Sequence, residues 1–164
     1  MLTKCCIALL LAVVVTQAAD MVQVFGTAHV EEVYRVLLDR DALLLESIKD
    51  VIKQKGVEDG QVFVTAGSVQ ECTYHYVTSI AQKPVNAYKT FKGAAEILNA
   101  GGMIAAGEPH MHITLSSPAK GAFGGHLENG CRVLYLAEVT IVKYSGVSLV
   151  RKDNANGVSL LQTR

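Results

Sequence analysis

The sequence predicts a single-domain α+β fold, and two observations carry that prediction. Residues 42–55 repeat their apolar side chains with a helical period, while most of the chain after residue 61 alternates or clusters in the manner of β-strands. Composition supplies a third. At 164 residues, half of them apolar and only 18% charged, the chain can bury one core and is too apolar to be disordered.

Residues 1–18 read as a targeting segment. Lys4 makes the start positive, residues 5–15 run apolar without a break, and Thr16-Gln17-Ala18 forms a small-residue cleavage site. The run is too short to span a bilayer. A secreted or periplasmic protein is therefore expected, with no stable membrane insertion once the segment is removed. Lys4 is the only charge lost, so 15 basic residues become 14 against 15 acidic ones, a net of −1. Balanced charge without a Lys/Arg run gives no electrostatic footprint for nucleic acid, and no nucleic-acid partner is expected.

Cys5 and Cys6 leave with the segment, which leaves Cys72 and Cys131. An oxidising compartment permits the two to pair, and closing so long a loop would stabilise the fold by about 4 kcal/mol. Free buried thiols are nevertheless the favoured reading, because buried cysteine is common and one pair is not a framework. Neither cysteine has the Cys-x-x-Cys spacing of a zinc knuckle or redox site.

Taken in order, residues 19–30 have no strong pattern and read as a linker, with His29 in solvent. Residues 31–145 form the domain. Val33, Tyr34, Val36, Leu37 and Leu38 favour a first strand over 31–38. Asp41 is the expected N-cap of the helix over 42–55, since its carboxylate can accept from free first-turn amides. Leu44, Leu45, Ile48, Val51 and Ile52 then make one buried face, and Gly56 ends the helix.

Residues 61–65 and 69–77 are expected as strands joined by a turn at Ala66-Gly67-Ser68. After a break at Lys83-Pro84, residues 86–91 and 96–106 read as two more, the second interrupted at Gly101-Gly102 by a bulge or a close neighbour. Residues 132–144 are the longest candidate. Val133, Tyr135, Ala137, Val139 and Ile141 share one face, with Glu138 the only carboxylate, on the other. Residues 146–164 suggest a last hairpin or a frayed tail.

The chemistry concentrates in Gly107-Glu108-Pro109-His110-Met111-His112-Ile113-Thr114-Leu115 and Gly124-Gly125-His126-Leu127. His110 and His112 are two apart, so on a strand both imidazoles leave one face. His126 joins them across a hairpin only if the loop is odd or bulged, Ser117-Pro118-Ala119 being the expected loop; an even loop would set His126 opposite Met111. Zinc takes imidazole nitrogen readily, and three protein ligands with an open fourth position are the pattern of reactive sites. A divalent metal, zinc by ligand preference, is thus the expected cofactor on His110, His112 and His126. His-x-His also arises by chance, and a histidine beside Gly-Gly can simply bond a carbonyl. Glu138 is the candidate catalytic base or fourth ligand, weighed against a plain solvent-facing carboxylate. The sequence has no P-loop, no nucleophile elbow and no His-Glu-x-x-His. His75 falls on the polar face of its strand.

Together with Gly130-Cys131 and Ala137-Glu138-Val139, these segments resemble the PPC domain, the "plants and prokaryotes conserved" domain, from about Tyr34 to about Tyr144. The resemblance implies a strongly bent, mainly antiparallel sheet carrying one principal helix, assembled as a homotrimer. It also implies a metal site at the three histidines, near the subunit contact. In plant members a Gly-Arg-Phe-Glu-Ile-Leu segment engages other proteins and an AT-hook accompanies the domain. Here the matching stretch is Gly93-Ala94-Ala95-Glu96-Ile97-Leu98, without the charge and the aromatic anchor, and no Arg-Gly-Arg-Pro core occurs. A trimeric, exported metal-binding module is the leading expectation. A metal-dependent hydrolase or lyase using activated water comes second, and a DNA-associated role by family analogy is disfavoured.

Overall fold

The computed structural model describes residues 22–164; the expected targeting segment, 1–18, lies outside them. The chain runs β1 (His29–Asp39), α1 (Leu44–Lys55), β2 (Asp59–Val77), β3 (Asn86–Ala105), β4 (Glu108–Ser117), β5 (Gly121–Leu127), β6 (Arg132–Ser145), β7 (Leu149–Asp153) and β8 (Ser159–Thr163). Strands dominate this single domain, and its one helix is short, so the α+β expectation holds in the sense of a mostly antiparallel β-sheet with a helix against it. Among the described residues no helix is long and apolar enough to cross a membrane.

Six strands form one antiparallel sheet in the order β1-β6-β2-β3-β4-β5. One edge of β2 pairs with β3 along its length. The other pairs with β6 from Gly60 to Glu71 and then with β5 at Tyr74 and His75. A sheet meets its own far strand only by curling, so β2, β3, β4 and β5 close on themselves at this end. Register shifts near Ala66, between Gly67 and Val69, and again before Glu71 supply the bend. Inside lie Tyr74, Phe91, Met111, Ile113, Leu115 and Leu127, all buried.

Several local expectations change. Ala66-Gly67-Ser68 is not a turn: β2 runs through it, bulged where Gly67, at φ 150°, comes so close to Leu136 and Ala137 that a Cβ would strike their backbone. Residues 86–91 and 96–106 are not two strands but one, β3, because its pairing with β2 continues across the Gly93 region. Gly102 is explained by a close neighbour, the His110 carbonyl on β4.

The helix starts later than expected, and Asp41 does not cap it. Asp41 sits in the left-handed region at φ 69°, and its carboxylate accepts from Gln70 Nε2 at 2.6 Å. Leu43 bridges to Arg132, and the first helical amide, Leu44 N, donates to the Cys131 carbonyl at 2.8 Å. A main-chain acceptor from the start of β6 thus does the work assigned to a side chain. Leu44, Leu45, Ile48 and Ile52 are buried as expected, and Gly56 ends the helix at φ 58°.

Cys72 and Cys131 form a disulfide, contrary to the free thiols favoured from sequence. The sheet brings together the middle of β2 and the residue just before β6, 59 positions apart in the chain. The C-terminal segment is a hairpin rather than a frayed tail. β7 and β8 pair from Leu149↔Thr163 to Asp153↔Ser159, and Asn154 Oδ1 closes the turn by accepting from the amides of Asn156 and Val158. The buried Asp59 ties it to the domain by accepting from Leu149 N at 2.9 Å and from Arg164.

Candidate metal centre

β4 presents Met111 and Ile113 to the core and His110 and His112 to the opposite face, as period-two alternation requires. The loop to β5 is Pro118-Ala119-Lys120, flanked by the pair Ser117↔Gly121. Its odd length agrees with the sequence condition, but its centre lies one residue later than expected. His126 therefore stands opposite His112 rather than His110.

Two glycines make this possible. A Cβ on Gly124 would strike the Ile113 carbonyl, and one on Gly125 would strike the His75 carbonyl and the Tyr74 ring. Bare backbone at both positions lets β5 press against β4 on one side and β2 on the other. The Gly-Gly-His sequence is thus a closure device that carries an imidazole at its end.

Ring centroids lie 5.3 Å apart for His110 and His112, 4.7 Å for His110 and His126, and 5.3 Å for His112 and His126. One nitrogen from each comes within 4.8 Å of the others. A tetrahedral zinc site needs about 3.4 Å between nitrogens at bonds of about 2.1 Å, so sharing one ion would draw the rings together by at most about 1.4 Å. Three neutral imidazoles on rigid adjacent strands fit a borderline-soft divalent cation with one position left open.

Burial favours the form that coordinates. The His110 imidazole is pushed down to about 4 from 6.5, first by desolvation, then by the nearby Arg151 charge and the neighbouring imidazoles. His126 is lowered too, again mainly by burial and then by His75 and His112, with Glu128 acting in the opposite sense. At both positions the shift favours the neutral imidazole, which keeps one nitrogen lone pair available for a cation.

His75 and Glu128 escaped the sequence reading of this site. β2 sets His75 opposite His126, with the rings stacked at 4.5 Å, and Glu128 Oε1 lies 2.6 Å from His75 Nδ1. His75, His126 and Glu128 form a second group with convergent ligand atoms. Glu128 is already engaged with His75, so the three-histidine group is the better cation site. Alternation did place His75 on a polar face, but only the β2–β5 pairing puts that face beside His126.

Glu138 is not brought to the histidines. It is exposed on β6 opposite Leu37 and Ala66, and Ala66 lies nine positions from His75 along β2, about 30 Å of extended strand before the bulges shorten it. Arg151, from β7, also reaches the site. With Tyr76, Val77, Pro84 and Val158 it lines an open cleft of about 460 Å³ that contains His75, His110, His112 and His126.

A profile of the Plants and Prokaryotes Conserved (PCC) domain matches residues 26–145. The chain belongs to this family. The expectation from its motifs is met, and hairpin β7–β8 lies beyond the matched residues. Among solved structures it is similar to a plant- and prokaryote-conserved protein of Pyrococcus horikoshii, with 25% identity and a TM-score of 0.73 over 87% of this chain and 99% of that one. A metal-containing protein of Archaeoglobus fulgidus shares 22% identity at a TM-score of 0.72, covering 86% and 99%. A protein of Bacteroides thetaiotaomicron named as a candidate for DNA binding shares 20% identity at 0.71, covering 85% and 98%. No curated protein matches the chain.

Proposed function

We propose that this PCC-domain protein is an exported module that holds one divalent cation, zinc by ligand preference, on His110, His112 and His126. The convergence of three imidazole nitrogens within 4.8 Å carries the reading. The similar protein from Archaeoglobus fulgidus, described as metal-containing, agrees with it. Export is supported by the order of charged, apolar and small residues in 1–18 and by the Cys72–Cys131 disulfide, a bond that persists in oxidising compartments. Assembly as a homotrimer follows the family resemblance. The exposed Val85 and Tyr88, beside the cleft rather than lining it, are apolar surface that a subunit contact would cover.

Elemental analysis of the purified mature chain tests the cation, with His112→Ala beside it. One metal per chain, lost in the variant, is expected; a wild-type chain that stays metal-free after incubation with zinc refutes the reading. Light scattering on the same samples should give three subunits.

A second reading, hydrolysis or lyase chemistry, is favoured by one observation: the 2.6 Å contact between Glu128 and His75 beside the site. A bound divalent cation would make water in its open position more acidic. His75, held by Glu128 through Nδ1, can accept a proton at Nε2, the task first expected of Glu138. Glu128→Gln should then abolish turnover while metal content stays at one per chain. DNA association is not part of the proposal, because 15 basic against 15 acidic residues provide no phosphate-binding charge.

A further inference from the structure

We propose that the β7–β8 hairpin turns the histidine cleft into a receptor for a small carboxylate with an apolar body, anchored by the Arg151 guanidinium. This rests on the cation reading above and adds the class of ligand. The hairpin lies beyond residues 26–145, the stretch that the family profile matches.

Arg151 is placed firmly. Its Nη2 donates to the Ser159 carbonyl at 2.7 Å across the hairpin, and its Nη1 lies 3.7 Å from the Met103 sulfur on β3. The hairpin is itself fixed by buried Asp59 and by Arg164. Among the described residues Arg151 forms no ion pair, although seven such contacts occur elsewhere. A half-buried guanidinium with spare donors, facing a cleft that also holds a cation site, is unfavourable until an anion lies between the two charges.

Geometry and lining choose the anion. A planar guanidinium matches a carboxylate through two parallel hydrogen bonds. The cleft walls at Val77, Pro84 and Val158 offer apolar surface for the rest of the molecule, and about 460 Å³ admits a small organic acid. Inorganic phosphate would satisfy the charge but leave those walls wet.

Because the cation and Arg151 repel, removing the guanidinium should have two opposite consequences. Affinity for the metal alone should rise slightly, while affinity for the anion should fall. A residue that merely held the hairpin together would lower both.

The test uses the full mature chain loaded with cobalt in place of zinc, titrated with benzoate, benzamide or inorganic phosphate and followed by the visible absorption of cobalt. Zinc-loaded protein is titrated in parallel by calorimetry. Benzoate should bind the wild type about ten- to a hundredfold tighter than Arg151→Gln, the loss of a charge-assisted pair. Benzamide, the neutral isostere, should bind neither, and phosphate should bind more weakly than benzoate. Metal content should be equal in both proteins. Equal benzoate affinity with full metal content overturns this inference and leaves the cation reading standing, and so does tighter binding of phosphate. Failure of the wild type to take up either metal overturns both. Should Arg151→Gln not fold, Arg151→Lys decides by the same comparison: weaker benzoate binding supports the inference and unchanged binding sinks it.

Discussion

Reducing the Cys72–Cys131 bond should weaken the fold by an amount that can be worked from its position. The two residues are 59 apart in the chain, and the entropy of closing such a loop in the unfolded ensemble corresponds to about 4 kcal/mol at 25 °C. Both side chains are fully buried, and the bond ties β2 to the residue whose carbonyl caps α1. For a domain of this size, with a urea slope of about 2 kcal/mol per molar, the midpoint should fall by about 2 M. The assay is equilibrium urea unfolding with and without reductant at fixed protein and metal concentration, since oligomer and metal binding also shift the midpoint. Intact mass under non-reducing conditions establishes the starting state. A purified mature chain with two free thiols, or a midpoint unmoved by full reduction, would refute the reasoning.

Other perturbations probe the site. Metal and protons compete for the same nitrogens, so depressed imidazoles surrender metal only at lower pH. For His110, held near 4, and for His126, also lowered, release followed with a chromophoric chelator should have its midpoint below pH 6; a midpoint at or above 6.5 would contradict the burial described. The same shifts set a sign for apo-protein stability. An unfolded chain binds these protons at about 6.5 and the folded one only lower, so stability is full above that value and declines as pH falls from 6.5 towards 4, read by thermal melting of chelator-treated protein. Gly125→Ala forces a Cβ onto the His75 carbonyl and should cost about 1–3 kcal/mol in urea unfolding while weakening metal binding, because β5 must move away from β2. Glu138→Gln should leave metal content and melting unchanged, as expected for an exposed carboxylate on a distant strand, and loss of metal there would overturn its placement.

Much of this molecule is written in local periodicity. The apolar rhythm of Leu44, Leu45, Ile48 and Ile52 announces the helix and its buried face, and the two-residue spacing of His110 and His112 puts both rings on one side of β4 whatever surrounds them. For His126 to join them, parity called for an odd or bulged loop, and the loop is odd. Where two adjacent elements share a strong pattern, backbone geometry leaves few alternatives. The expected boundaries failed where tertiary pairing overrode local signals. Ala66-Gly67-Ser68 and the Gly93 region look like breaks, yet β2 and β3 run through them because each is held by neighbours on its flanks. Asp41 has the chemistry of a cap, but the Cys131 carbonyl already occupied that role.

By itself, then, the amino-acid order determined which faces are apolar and that His110 and His112 point together, and it offered His126 as their companion on the condition of an odd or bulged loop. Only the folded sheet decided that His75 and Glu128 join them, that Arg151 reaches the same cleft from 25 residues beyond His126, that Glu138 does not, and that Cys72 meets Cys131. The difference is physical. Side-chain direction repeats every 3.6 or 2 residues and can be read along the chain, whereas the meeting of β5 with β2 depends on how far a six-stranded sheet curls. That curl is the sum of twist, bulges and close glycine contacts over the whole domain, and no single stretch encodes it.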